Sequence, residues 1–109
     1  MLADSDYTCT NANEWDIQMG TMTVAPGQTV YISVTPLKNA FSYGFVVWQN
    51  GAWGPDVKFN GNNYIPLNTT YTLPVVGSGT WSGRILVKSM MSGSGWYSYD
   101  KIHVKIWIQ

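Results

Sequence analysis

Residues 41–64 read FSYGFVVWQNGAWGPDVKFNGNNY, with Asn50-Gly51 at the pivot between two apolar runs. A two-residue type I′ turn needs positive φ at both central positions, which Asn and Gly tolerate best. With the turn there, Gln49 faces Ala52 and Trp48 lies directly across from Trp53. The two indoles then share one face of a β-ribbon as a cross-strand pair. On the first arm Tyr43, Phe45 and Val47 form one face, and Gly44, Val46 and Trp48 the other. With the Tyr-Phe-Val face inside, the indole pair is outside. A second Asn-Gly, Asn60-Gly61, predicts another turn toward Asn62-Asn63-Tyr64-Ile65 and a three-strand meander with a polar tip.

The same grammar continues on both sides. Trp15, Ile17 and Met19 alternate with Asp16 and Gln18, and Met22 and Val24 resume the alternation after Gly20, as in one bent strand with a bulge. Ala25-Pro26-Gly27-Gln28 has the residues of a type II turn. Val30, Ile32 and Val34 then oppose Tyr31, Ser33 and Thr35, up to Pro36. Tyr71, Leu73 and Val75 alternate across Pro74, which cannot donate to a ladder and so predicts an edge strand. Ile85 and Val87 oppose Arg84, Leu86 and Lys88. Ile102, Val104, Ile106 and Ile108 form an unbroken apolar face whose register is strongly specified. The Ser92-Gly93-Ser94-Gly95 loop predicts that these last two strands form a hairpin. No segment carries a 3.6-residue period over a helical length. The expectation is an all-β fold, an antiparallel β-sandwich or jelly roll of about eight strands with essentially no helix, a closed β-barrel being the alternative. Residues 1–13 show no period and read as an N-terminal arm, leaving 14–109 as a single sandwich domain.

Composition narrows the function classes. Of 109 residues, 11% are charged and 15% aromatic, the reverse of the balance that favours disorder. Net charge is zero, so no nucleic-acid partner is implied. No apolar run approaches the length of a membrane span, and the first residues lack a signal-peptide pattern. Cys9 is the single cysteine, so no disulfide forms within the chain. Polarity supplied by Ser, Thr, Asn and Gly points to an extracellular or cell-surface setting. Asn68-Thr69-Thr70 is a glycosylation sequon, meaningful only in a secreted eukaryotic protein. Residues 1–30 hold four carboxylates and no Lys or Arg, whereas 80–109 carry +3. The two ends are expected to be neighbours that compensate each other, the alternative being opposite-charge faces that meet between subunits.

Catalysis is hard to assemble. The single His, His103, sits between two lysines on a regular strand, no Gly-x-Ser-x-Gly elbow is present, and the one carboxylate pair outside the first sixteen residues, Asp56 and Asp100, lacks apolar neighbours that would raise a pKa. One His and one Cys make no zinc site. Asp56 with Asn60 and Asn62 offers oxygens for Ca²⁺, but one carboxylate makes a weak site, so no cofactor is expected. A non-enzymatic role is the expectation. Sugar sites combine aromatic plates with a few placed polar groups. Trp48 and Trp53 with Asn50, Asp56, Asn60, Asn62 and Asn63 supply those types, as do Trp96, Tyr97 and Tyr99. A third candidate is a basic face of Arg84, Lys88, Lys101, His103 and Lys105 on one side of the C-terminal hairpin. The leading expectation is a lectin or carbohydrate-binding module whose partner is a glycan or polysaccharide. The alternative is a self-assembling surface, filament or capsid-associated subunit, a homo-oligomer joined through sheet edges or opposite-charge faces. Interfacial membrane insertion lacks an amphipathic segment to carry it.

Overall fold

The computed structural model describes residues 3–8, 14–38, 43–49, 51–63, 65–76, 79–89 and 101–109. Among them are nine strands and no helix: β1 (Ala3–Thr8), β2 (Glu14–Val24), β3 (Val30–Pro36), β4 (Tyr43–Gln49), β5 (Ala52–Trp53), β6 (Val57–Asn62), β7 (Tyr71–Val76), β8 (Gly79–Ser89) and β9 (Lys101–Ile108). One sheet has the order β1-β9-β3-β7, the other β2-β8-β4-β5, with β6 also on β4. Every pairing is antiparallel. Both sheets have open edges, so this is a sandwich and not a closed barrel.

The pairings are nested. β4 pairs with β5 and β6, β3 with β7, β2 with β8 and β1 with β9. The chain is therefore one long ribbon folded back between Gln49 and Ala52, whose successive rungs fall alternately in the two sheets. That is a jelly roll. Trp48 pairs with Trp53 and Gln49 with Ala52, and Gly51 has φ +84°, as the two-residue turn requires.

Local chemistry fixes several bends. Gly20 has φ +71° and sits where the β2–β8 register shifts, the bulge expected there. Gln28 N–H donates to the Ala25 carbonyl at 2.9 Å, and Gly27 has φ +84°, closing the turn before β3. Pro74 lies on β7, an edge strand. Ile32, Val34, Ile102, Val104 and Ile106 face Phe45, Ile85, Val87 and Ile17 across the interior. At about 25 cal/mol per Å² of apolar surface removed from water, this one core is the main source of stability.

Four expectations fail. Residues 3–8 are not an irregular arm, because they form β1, in register with β9 from Ala3↔Ile106 to Thr8↔Lys101. β8 and β9 are not a hairpin, because they lie in different sheets. Arg84 and Lys88 are thereby parted from Lys101, His103 and Lys105, so the single basic face does not exist. The meander also fails. Asn63 N–H closes on the Asn60 carbonyl at 2.9 Å, and Ile65 then enters the core instead of a third strand of that sheet.

Candidate functional site

β4 places Phe45 and Val47 on the inner face, packed in or against the core, and Trp48 on the other. Val46, on the Trp48 side, is also buried, so β4 is covered on both sides at its middle and opens only toward its end. There the Trp48 and Trp53 ring centroids lie 5.1 Å apart at an interplanar angle of 75°, an edge-to-face pair. Arg84, opposite Trp48 on β8, holds its guanidinium carbon 5.3 Å from the Trp48 centroid and 5.2 Å from that of Trp53. Delocalised positive charge over both π systems ties the three side chains together.

Around the tip of this hairpin the two sheets leave an apolar cleft of about 370 Å³. Phe45, Val47 and Val57 line one side, Val75 of β7 the other, and Ala52, Trp53, Gly54 and Pro55 the mouth. Gly54 N–H donates to the Val47 carbonyl at 2.9 Å and pins the rim. Trp53 and Val57, each 39% exposed, leave the rim open to solvent.

Asn60, Asn62 and Asn63, predicted to accompany the indoles, are elsewhere. Lys58 pairs with Gly44, four residues from Trp48. At about 3.3 Å per residue, Asn60 to Asn63 therefore begin about 20 Å along the ribbon from the indole pair. Asp56 is exposed just before β6, Asn60 is half-buried, Asn63 is exposed, and Asn62 is a β6 residue. The extended backbone holds Asp56 and Asn60 about 13 Å apart, which does not let them converge on one Ca²⁺. Among the described residues no group of three or more His, Cys, Asp or Glu is placed to hold a metal. Asn50 and the second aromatic candidate, Trp96, Tyr97 and Tyr99, lie outside the described residues.

Two features escaped the sequence. On the outer face of the β1-β9-β3-β7 sheet, Tyr31 and Trp107 stack with centroids 5.7 Å apart, and Lys105 Nζ lies 5.4 Å from the Trp107 centroid. On the same face, His103 meets Asp4 and Asp6. Nε2 is 2.6 Å from Asp4 Oδ1 and Nδ1 2.7 Å from Asp6 Oδ1, with Lys101 Nζ 3.6 Å from Asp6 Oδ2. The hydrogen bond that His103 donates to Asp6, above all, raises the His103 pKa from its ordinary 6.5, against an opposing desolvation effect. The same bond holds Asp6 below its ordinary 3.8. The acidic and basic ends of the chain thus compensate each other within one molecule. The signal available was the i, i+2 spacing of Asp4 and Asp6, which puts both carboxylates on one strand face.

No family model matches the chain, and no curated protein matches it. Among solved structures it is similar to a chain from the infectious bursal disease virus Gx strain, with a TM-score of 0.54 and 10% identity over 98% of this chain and 30% of that one. A chain of the Gt strain gives a TM-score of 0.46 at 12% identity, over 96% of this chain and 32% of that one. The VP2 subviral particle of the same virus gives 0.43 at 8%, over 97% and 31%. The chain spans about a third of the length of these solved chains. At such identity the likeness to the first is one of fold.

Proposed function

We propose that this chain is a jelly-roll unit of a self-assembling structural protein, acting through contacts between copies and not through catalysis. The observation that carries this reading is the surface at the ends of the sandwich. One end has an open apolar cleft rimmed by Trp53 and Val57, with no charged side chain among the described residues that line it. Leu67, 44% exposed, lies toward the other, since the neighbouring Asn68 N–H donates to the carbonyl of Pro36. Apolar features at opposite ends of one molecule suit head-to-tail association, which closes into rings or grows into filaments and shells. The fold it shares over nearly its whole length with a chain of a virus structure favours the same role, since jelly rolls serve in capsids as well as in lectins.

Glycan recognition is the second reading, favoured by the exposed Trp53. It is weaker on geometry: the indoles meet edge to face, Arg84 lies against both rings, and Asn60 to Asn63 are distant, so no flat plate with orienting groups is assembled among the described residues.

Light scattering across a concentration series tests the assignment. Association that rises with concentration, and that Trp53→Asp or Val57→Asp suppresses without loss of the β-sheet spectrum, is the expected result. A monodisperse monomer at millimolar concentration, together with glycan binding lost in Trp53→Ala, would reverse the order of the two readings.

A further inference from the structure

Asp4 and Asp6 project from edge strand β1 on either side of His103, which projects from β9. Ionised carboxylates only accept hydrogen bonds, and a neutral imidazole has one donor and one acceptor nitrogen. Only the imidazolium satisfies both contacts. Lys101 adds its contact to Asp6, and Lys105 stands opposite Asp4 in the register. From β3, on the other flank, Thr35 pairs with His103; it carries no charge, and its hydroxyl lies 2.7 Å from that of Thr70.

β1 has little else to hold it. It is paired on one side only, and of its six residues Ala3 and Tyr7 pack, partly buried, against the core. Without β1, the N–H and C=O groups along the free edge of β9 are an open template for another strand. A strand that takes this edge in the same register must set two carboxylates, two residues apart, around His103. Two stretches of the sequence have that spacing, Asp4-Ser5-Asp6 and Glu14-Trp15-Asp16, and the second is on β2, paired with β8 in the other sheet.

We propose that β1 is an exchangeable strand latched by His103: the protonated imidazole holds β1 on its own β9, and loss of the proton lets β1 leave that edge often enough for β1 of a second copy to take its place. An exchange of identical elements conserves the contacts, so it is a low-cost route to association. The raised His103 pKa and the lowered Asp6 pKa place the closed latch on the mildly acidic side and its release on the alkaline side. The second copy presupposes the assembling unit inferred above, and the experiment separates the two.

Hydrogen exchange of the intact chain at about pH 6 and about pH 8.5, with light scattering on the same samples, reads the latch. In dilute wild type, the amides of residues 3–8 should exchange about tenfold faster at the higher pH after correction for intrinsic rates, while β3 stays protected. On concentration at the higher pH a dimer should form in which residues 3–8 regain protection. His103→Gln, which does not titrate, should lose this pH dependence. Equal protection of residues 3–8 at both pH values, or a dimer with those residues unprotected, overturns exchange. Association at either pH with β1 protected throughout overturns exchange and leaves the assembly reading standing. No association at any concentration overturns both.

Discussion

Trp48 and Trp53 sit five residues apart in sequence and directly opposite each other in register, with Arg84 packed against both. An edge-to-face aromatic pair contributes about 0.5–1.5 kcal/mol beyond area burial. A double-mutant cycle of Trp48→Ala and Trp53→Ala, read by urea unfolding, should give a coupling of about 1 kcal/mol. Half-buried Trp48 should cost more alone than exposed Trp53. Additive effects would show that the contact contributes nothing.

His103 is the only histidine, so one imidazole resonance reports the latch. Its folded pKa is raised, so its stabilising effect is complete below the unfolded value of about 6.5 and is lost as pH rises through the folded pKa. Asp6 is lowered, so its effect is complete above about 3.8 and is lost as pH falls through the folded value. Melting temperature should therefore be highest between about pH 4 and pH 6.5. Asp6→Asn should move the NMR midpoint of His103 back toward 6.5. A wild-type midpoint at or below 6.5 would contradict the geometry.

Ile106 is fully buried between β1 and β3, opposite Ala3 on one side and Ile32 on the other. Ile106→Ala leaves a cavity and should cost about 2–5 kcal/mol by chemical denaturation. Leu67→Ala, at an exposed position, should stay within about 0.5 kcal/mol of wild type. Similar losses at both would mean that the core is misplaced.

Gly20 has open space where a Cβ would be, so an alanine there meets no neighbour. Its φ of +71° is costly for any L-residue with a Cβ. Gly20→Ala should destabilise by about 1–2 kcal/mol, and Gly20→Asn by less, because Asn tolerates the left-handed region better. Thermal unfolding of the two variants, ranked against wild type, decides this.

Much of the sandwich is legible in single residues. Alternation at Val30–Val34 and Ile102–Ile106 gives the inner faces, Gly20 the bulge, Pro74 an edge, and Asn50-Gly51 the pairing of Trp48 with Trp53. Alternation identifies strands but not their partners. Ser92-Gly93-Ser94-Gly95 reads like a hairpin turn, yet β8 and β9 lie in different sheets. β1 is hidden because its inward positions are Ala3, Ser5 and Tyr7, with too little apolar contrast to show a period. The site divides in the same way. The indole pair is local and readable, whereas Asp4 and His103 meet only because the fold closes a separation of 99 residues.

The nested ribbon also orders events in time. Trp48↔Trp53, Phe45↔Val57, Ile32↔Leu73, Ile17↔Ile85 and Ser5↔Val104 enclose one another like brackets. Each inner pairing shortens the loop that the next must close, so zippering outward from the hairpin avoids the full entropic cost of joining the ends. On the ribosome this runs against the order of synthesis. β1 emerges first of the nine strands, but its partner β9 follows about 100 residues later, a wait of about 5–20 s at ordinary elongation rates. Throughout that interval the acidic strand has no edge of its own to join.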